Sequence, residues 1–155
     1  MMQQILDMTC GGRMMWWDKN DPRILAMDCR EVEYTLCDGR TFAVKPDLLG
    51  DFRNLPHPSD LFSVVMFDPP HLLNAGETGW QYKKYGRLDR STYGQDIKRG
   101  MEEAMRVLKP GGVLVFKWNT EQIRLAQIKV LFPCKPILRT GNRREKTYII
   151  LFVKP

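Results

Sequence analysis

The sequence predicts an α/β domain built on a mainly parallel β-sheet, and three observations support this. Short apolar runs alternate along the chain with segments of helical periodicity, as in folds where strands and helices take turns. The chain has 155 residues, which suits one domain over residues 1–155 with a single core. The composition, 43% hydrophobic and 27% charged, excludes a disordered tail, a collagen-like fibre and a coiled coil.

Three apolar runs in the first half of the chain are predicted strands, and each ends at an acid. The strands are Ile5–Met8, Ile24–Met27 and Ser63–Phe67, and the acids are Asp7, Asp28 and Asp68. In open α/β sheets, ligands bind outside the carboxyl ends of the strands, so acids repeated at these ends indicate a site. Turn capping explains one or two such acids, but explains all three less easily.

Two hairpins are predicted beside the parallel strands. Tyr34–Leu36 and Thr41–Val44 flank an Asp-Gly pair that suits a tight turn, so a hairpin replaces a crossover helix there. Leu138 and Tyr148–Val153 flank a second turn near the end of the chain. That closing pair predicts an antiparallel addition to the parallel sheet.

Two helices are predicted in the second half of the chain. Apolar residues at helical spacing predict one helix from Ser91 to about Leu108 and another from Thr120 to about Leu131. The intervening segment Val113–Phe116 is continuously apolar, which is typical of a buried strand. The order strand, helix, strand, helix therefore continues after Asp68.

Charge, cysteine usage and hydropathy limit the partners. The chain carries 24 basic and 18 acidic residues, a net charge of +6, which favours a polyanionic partner, although solvated surface lysines give the same count. The four cysteines form no CxxC pair, so we expect reduced thiols and no metal site. No apolar run approaches the roughly 20 residues that span a bilayer, so we expect a cytoplasmic protein without membrane contact.

The loop after the first strand is a candidate ligand cradle. Cys10, Gly11 and Gly12 are small, so the backbone can approach a ligand closely, and a helix beginning near Met14 would supply free N–H groups. The segment is not GxGxxG, so a dinucleotide pyrophosphate site and a nucleotide-dependent oxidoreductase are poorly supported. An ordinary strand-to-helix turn is the alternative.

The next acids suit a nucleoside. Asp28 lies at the end of the second strand, where a carboxylate can accept hydrogen bonds from two ribose hydroxyls. Asp51 and Phe52 offer an acid and an aromatic ring together, which would accept from an adenine amino group and pack beside its ring. A solvated turn is the alternative for Asp51.

Asp68-Pro69-Pro70-His71 is the most specific motif of the sequence. Two prolines fix the backbone and remove two N–H donors, so the loop presents the Asp68 carboxylate and bare carbonyl oxygens above the sheet. The carboxylate and the Pro69 carbonyl can each accept one N–H of an exocyclic NH2, which orients the nitrogen lone pair towards an electrophile. His71 would lie against the acceptor ring. A structural strand stop explains the prolines but not the flanking residues.

Aromatic and basic residues are interleaved between residues 72 and 93, directly after this motif. Such a mixture stacks bases and contacts phosphates, although aromatic residues also anchor ordinary surface loops and lids. The closing hairpin carries a second basic cluster. The predicted substrate-binding residues are Trp80, Tyr82, Lys83, Lys84, Arg143 and Arg144.

The segments Leu6–Gly12, Asp28, Asp51, Phe67–His71 and Leu108–Gly112, followed by the closing hairpin, resemble a class I S-adenosylmethionine-dependent methyltransferase over nearly the whole chain. The Asp-Pro-Pro tetrapeptide is similar to the motif of amino-methyltransferases acting on bases. The compact chain resembles small methyltransferase-like proteins of phages and prophages.

The resemblance implies a Rossmann-like, mainly parallel seven-stranded sheet with an antiparallel C-terminal hairpin, and S-adenosylmethionine as cofactor. It implies that Asp7, Cys10, Gly11 and Gly12 form the methionine-side loop, that Asp28 holds the ribose and that Asp51 reads the adenine. Asp68–His71 would hold an amino group of a DNA or RNA base. Target recognition would come from a loop, from the shape of the substrate or from a protein partner.

Two positions depart from the family pattern. Arg13 stands where the loop usually has a further glycine, and His71 stands where the tetrapeptide usually ends in an aromatic residue. These departures keep two alternatives open. One is a methyltransferase-like binding or regulatory module without turnover, and the other is a methyltransferase acting on a protein or small amine.

Overall fold

Strands of a mainly parallel sheet form the centre of the computed structural model, which describes residues 3–142 and 144–155. The strands of the described residues are β1 Ile5–Asp7, β2 Ile24–Asp28, β3 Val32–Thr35, β4 Thr41–Val44, β5 Leu48–Leu49, β6 Phe62–Phe67, β7 Leu108–Asn119, β8 Leu138–Thr140 and β9 Thr147–Val153. The helices are α1 Trp80–Tyr85, α2 Tyr93–Val107 and α3 Leu125–Lys129. The predicted α/β class is therefore confirmed.

The main sheet has seven strands in the order β5-β2-β1-β6-β7-β9-β8. Neighbours from β5 to β7 run parallel, whereas β9 is antiparallel to both β7 and β8. This confirms the mainly parallel seven-stranded sheet with an antiparallel C-terminal hairpin. The chain winds outwards in opposite directions from β1 and β6, which makes the gap between their carboxyl ends the topological switch point.

The predicted hairpin after β2 is confirmed, although its first strand is Val32–Thr35 rather than Tyr34–Leu36. β3 and β4 form a separate antiparallel pair, and Gly39 in their turn has a φ of +82°, a conformation that glycine adopts without steric cost. The chain then returns to the main sheet as β5, which pairs with β2. The hairpin replaces a crossover helix at this point.

One face of the sheet carries the main core. Helix α2 packs there on β6 and β7, and the largest fully buried side chains include Trp118, Phe62, Phe67 and Phe116. Gly100 lets α2 approach closely, because a Cβ there would lie 2.5 Å from the Phe67 ring. Burial of these aromatic rings supplies the largest apolar contribution to stability.

Residues 8–23, between β1 and β2, contain no helix, so the helix expected near Met14 was wrong. Gly11 and Arg13 have positive φ, and the Trp16 indole N–H donates to Asp7 at 2.6 Å, which draws the segment over the end of β1. Asp18 and Asp21 then accept backbone N–H groups two residues onward, as in turns. Local side-chain bonds outcompete the helical ladder here.

The two predicted helices of the second half have different bounds. Helix α2 begins at Tyr93 rather than Ser91, whose hydroxyl instead donates to Asp89. The second helix was predicted too long, because α3 is only Leu125–Lys129 and Thr120 donates its hydroxyl to the carbonyl of Lys146. Pairing with β9 extends β7 to Asn119, and the backbone N–H of Thr120, directly after the strand, donates to the carbonyl of Lys146 instead of beginning a helix.

Candidate active site

A cavity of about 450 Å³ opens at the carboxyl ends of β1, β2, β6 and β7, at the switch point of the sheet. Its volume lies in the range of ligand pockets. Of the residues predicted for the site, those that line it are Asp7, Cys10, Gly11, Gly12, Asp28, Phe52, Asp68, Pro69, Pro70, His71 and Lys84.

Strand register explains why the acids meet. Asp7 pairs with Ala26 on one side and with Met66 on the other, and Met66 pairs with Val115. Side chains alternate along a strand, so Asp28, Asp68 and Lys117, two residues beyond these partners, follow the same face as Asp7. All four residues line the cavity.

Asp28 organises the first loop. One carboxylate oxygen accepts the N–H of Gly11 at 2.9 Å, and the other accepts the N–H of Arg30 at 3.0 Å. Asp28 is 7% exposed and remains in the cavity wall. Each oxygen keeps a further lone pair, so the carboxylate can also accept from a hydroxyl of a ligand.

Asp7 is the most deeply buried acid of the site, at 2% exposure. Its carboxylate accepts the Trp16 indole N–H at 2.6 Å and the Thr9 backbone N–H at 3.3 Å. Burial nevertheless raises the pKa of Asp7 from its ordinary 3.8 to about 6, because desolvation outweighs the hydrogen bonds from Trp16 and Thr9. A cation in the cavity would stabilise the ionised form.

Arg13 occupies the backbone conformation that favours glycine. Its φ is +56°, and its guanidinium donates to the carbonyls of Lys19 and Lys45 and to the Asp47 carboxylate at 2.8 Å. Asp47 also accepts the backbone N–H of Ala26 on β2. These bonds fasten the loop to the sheet and hold Arg13 in a backbone conformation that a glycine would adopt without steric cost.

The cavity wall beside the β1 loop is formed by the Cys10 thiol and the aromatic ring of Phe42. Burial raises the pKa of the Cys10 thiol to about 12, which keeps it protonated and unsuited to nucleophilic chemistry. A Cβ at Gly12 would lie 2.8 Å from the Phe42 ring, so the β3–β4 hairpin closes directly over the glycine. Sequence reasoning did not identify Phe42 as a lining residue, because the contact joins separate segments.

The Asp68 motif is held from two strands. Its backbone N–H donates to the Thr9 hydroxyl at 2.8 Å, which ties the motif to the β1 loop. Its carboxylate accepts from the Lys117 ammonium on β7 at 2.8 Å. Both side chains are about one quarter exposed, at 27% and 26%, so the pair remains accessible from the cavity.

His71 lies beside a second ring of the cavity. Its centroid is 5.6 Å from that of Tyr85, with the rings tilted by 52°. Burial lowers the pKa of His71 below its ordinary value of 6.5, so the imidazole is neutral at pH 7. A neutral imidazole keeps a flat face and both a donor and an acceptor nitrogen.

The segment from 72 to 93 contains α1 and packs against the β3–β4 hairpin. Trp80 meets Phe42 edge-on at 5.8 Å between centroids, and the Lys83 ammonium lies 5.3 Å from the centroid of Tyr34. Trp80 and Lys83 line a second cavity beside the hairpin. Among the predicted substrate-binding residues, Lys84 therefore stands apart as a lining residue of the main cavity.

The remaining predicted residues that the structure describes do not line the main cavity. Tyr82 lies under the Arg87 guanidinium, 5.6 Å from ring centroid to Cζ. Asp51 is ion-paired with Arg53 at 2.7 Å and does not line the cavity, whereas its neighbour Phe52 does. Arg144 is exposed in the β8–β9 turn, and Arg143 lies outside the described residues.

Sequence reasoning missed Lys117 and Trp16. Lys117 stands 49 positions from Asp68, and only the alternation of β7 and its pairing with β6 place it beside the motif. The available signal was a lysine directly after the apolar run Val113–Phe116, at the carboxyl end of a buried strand. Trp16 gave no signal, because its partner depends on the path of an irregular loop.

Comparisons with known proteins support the fold. The PH0226 protein from Pyrococcus horikoshii OT3 has a TM-score of 0.62 at 11% identity, covering 97% of this chain and 82% of that chain. The [4+2]-cyclase SpnF has a TM-score of 0.59 at 13% identity, covering 97% and 74%. No protein-family model and no curated protein matched the sequence. At these identities, the comparisons establish the shared fold alone.

The described residues contain neither a membrane-spanning helix nor a metal-binding cluster. No helix there is long and apolar enough to cross a membrane. Within the same residues, no group of three or more histidine, cysteine, aspartate or glutamate side chains could hold a metal ion.

Proposed function

We propose that this chain transfers a methyl group from S-adenosylmethionine to an exocyclic amino group of a nucleic-acid base. One observation carries the proposal: the Asp68 motif opens into the same cavity as the acids Asp7 and Asp28 and the Cys10–Gly12 loop. The Asp68 carboxylate, which can accept N–H groups, thus lines a pocket suited to a nucleoside-containing cation. This combination fits amino-group methylation better than hydride transfer, which would need a pyrophosphate cradle.

The cavity residues fit the cofactor chemically. Asp28 would accept from the ribose hydroxyls, Asp7 would face the positive charge, and Phe52 would pack beside the adenine. Gly11 has a φ of +48° and open space where a Cβ would lie, which leaves the loop backbone accessible. When bound, the cofactor supplies an electrophilic methyl group on a sulfonium centre.

The acceptor would lie between the motif and the two rings. Asp68 and the carbonyl of Pro69 accept the two N–H groups of the target amine, which holds its lone pair towards the methyl group. His71 and Tyr85 supply flat faces beside the base. The proton released on transfer passes to Asp68 or to water.

The base must be unpaired or extruded to reach this depth, because a stacked base cannot contact the motif. Lys84 at the cavity and the exposed Arg144 would contact phosphates, and a protein partner would add target recognition. We place the activity in the cytoplasm, on a chain similar to the small methyltransferase-like proteins of phages and prophages.

Calorimetry tests the cofactor. We expect S-adenosylmethionine or its demethylated product to bind, NAD to bind more weakly, and Asp28→Ala to lose about 1–3 kcal/mol of cofactor affinity. Asp18→Asn is the control, because Asp18 is exposed and an asparagine keeps its turn bond to Asn20. NAD binding as tight as S-adenosylmethionine would refute the cofactor assignment.

Transfer of an isotopically labelled methyl group to single-stranded DNA and RNA tests the reaction. Asp68→Ala should abolish transfer while cofactor affinity stays near that of the parent, because the carboxylate contacts the acceptor. His71→Ala should have a smaller effect. Full turnover by the Asp68 variant would show that the mechanism is wrong.

A binding module without turnover is the second candidate, and one observation favours it: the Lys117 ammonium already bonds Oδ2 of Asp68, one of the two carboxylate oxygens that could accept an amine. Cofactor binding without transfer to any DNA, RNA, protein or small amine would support that candidate.

A further inference from the structure

Lys117 places a hydrogen-bond donor beside the acceptor groups of the Asp68 motif. Its ammonium donates to Asp68 Oδ2 at 2.8 Å, and both residues line the main cavity. An ammonium has three donor protons, so one bond to Asp68 leaves two for other acceptors. The cavity therefore presents a hydrogen-bond donor directly beside a hydrogen-bond acceptor.

The pair is held in place by the sheet. Lys117 follows Phe116, which pairs with Phe67 next to Asp68, and the Asp68 backbone is bonded to the Thr9 hydroxyl. Within the described residues, Asp68 Oδ1 accepts no hydrogen bond. That oxygen is available for an amino group while Lys117 contacts the atom beside it.

We propose that Lys117 is a specificity-determining residue that donates to the ring nitrogen next to the methylated amino group. This inference rests on the proposed function. Adenine N1 and cytosine N3 are unprotonated acceptors bonded to the carbon that carries the amino group. Guanine presents an N1–H donor at that place on its Watson–Crick edge, so the lysine would face another donor. The unprotonated N3 of guanine also neighbours the amino group, but lies on the opposite side, along the sugar edge. The pair Asp68–Lys117 therefore selects adenine or cytosine over guanine.

The ion pair leaves the ammonium able to bond the substrate. The Asp68 carboxylate offsets the positive charge of Lys117 beside a nitrogen that gains positive charge as the methyl group transfers. The remaining N–H groups of the ammonium can then donate to a ring acceptor. His71 and Tyr85 beside the pair favour a flat ring over an aliphatic carboxamide, which offers the same donor and acceptor.

Substrate analogues separate this role from mere support of Asp68. Single-stranded oligonucleotides carry one adenine or one 1-deazaadenine, or one cytosine or one 3-deazacytosine, and kcat/KM is measured for the parent and for Lys117→Met. The parent should lose roughly 10- to 100-fold on the deaza analogue of its preferred base. Lys117→Met should lose a similar factor on the natural base, mainly through KM, and no further factor on the analogue.

Lys117→Gln keeps a donor, so it should retain discrimination against the deaza analogue and serves if the methionine variant does not fold. Equal discrimination by the parent and Lys117→Met would overturn the inference while leaving the proposed function intact. Faster methylation of guanine, or of a glutamine-containing peptide, would also overturn it. Cofactor binding with no methylation of any base would refute the proposed acceptor, and the inference with it.

Discussion

The buried carboxyl of Asp7 predicts an unusual dependence of stability on pH. Burial raises its pKa from 3.8 to about 6, so the folded state holds a proton that the unfolded state has already released between these values. The contribution of Asp7 to the free energy of unfolding should therefore fall as pH rises from about 4 to 6 and stay reduced above pH 6. At about 1.4 kcal/mol per pKa unit, this difference corresponds to about 3 kcal/mol.

Asp7→Asn isolates this contribution. The amide oxygen can still accept the Trp16 indole N–H, whereas the cost of burying a charge disappears. The variant should be about 1–3 kcal/mol more stable than the parent at pH 8 and no more stable near pH 4. Urea unfolding at both pH values measures this, with Asp18→Asn as a control for loss of a surface charge.

The same carboxyl predicts how the proposed cofactor binds. A cation beside Asp7 favours the ionised form, so cofactor affinity should rise between pH 5 and 7 in the parent. Asp7→Asn should bind more weakly and lose that rise. An unfolding free energy at pH 8 equal to that of Asp7→Asn, or the same change in unfolding free energy between pH 4 and pH 8 in both proteins, would refute the argument from burial.

Three further predictions concern the scaffold. Gly100→Ala should lower the free energy of unfolding by about 1–3 kcal/mol, because the added Cβ would lie 2.5 Å from the Phe67 ring. Gly94→Ala on the same helix is the control, because its Cβ meets nothing within 4 Å, and it should be neutral or stabilising by up to about 1 kcal/mol. Urea unfolding measures both variants. Arg13→Gly should be more stable than Arg13→Ala by about 1 kcal/mol, since φ there is +56°, and equal unfolding midpoints would contradict this. Gln122→Ala should speed hydrogen exchange at residues 73 and 74, whose N–H groups donate to its side chain at 2.6 and 2.9 Å, and unchanged exchange would show that these bonds do not order the loop.

Local sequence patterns were sufficient for most of the strands and most of the cavity, whereas the two-residue strand β5 was not predicted. The apolar runs that end at Asp7, Asp28 and Asp68 form strands whose acids meet, because parallel strands bring their carboxyl ends to one edge. The Asp-Gly turn and the closing hairpin followed from backbone preferences that act within a few residues. Such short-range signals survive in any context that keeps the core.

Local sequence patterns did not predict contacts between segments that are distant in the chain. The connection after β1 forms no helix, and its Trp16 side chain bonds Asp7 instead. Asp51 forms an ion pair with Arg53 and does not line the cavity. Lys117 reaches Asp68 only because β7 pairs with β6 in one register, and a slip of one residue would point the lysine to the other face of the sheet. Alternation along the chain thus determined the strands and their acids. The pairing register decided which side chains surround those acids, because it depends on the packing of the whole sheet.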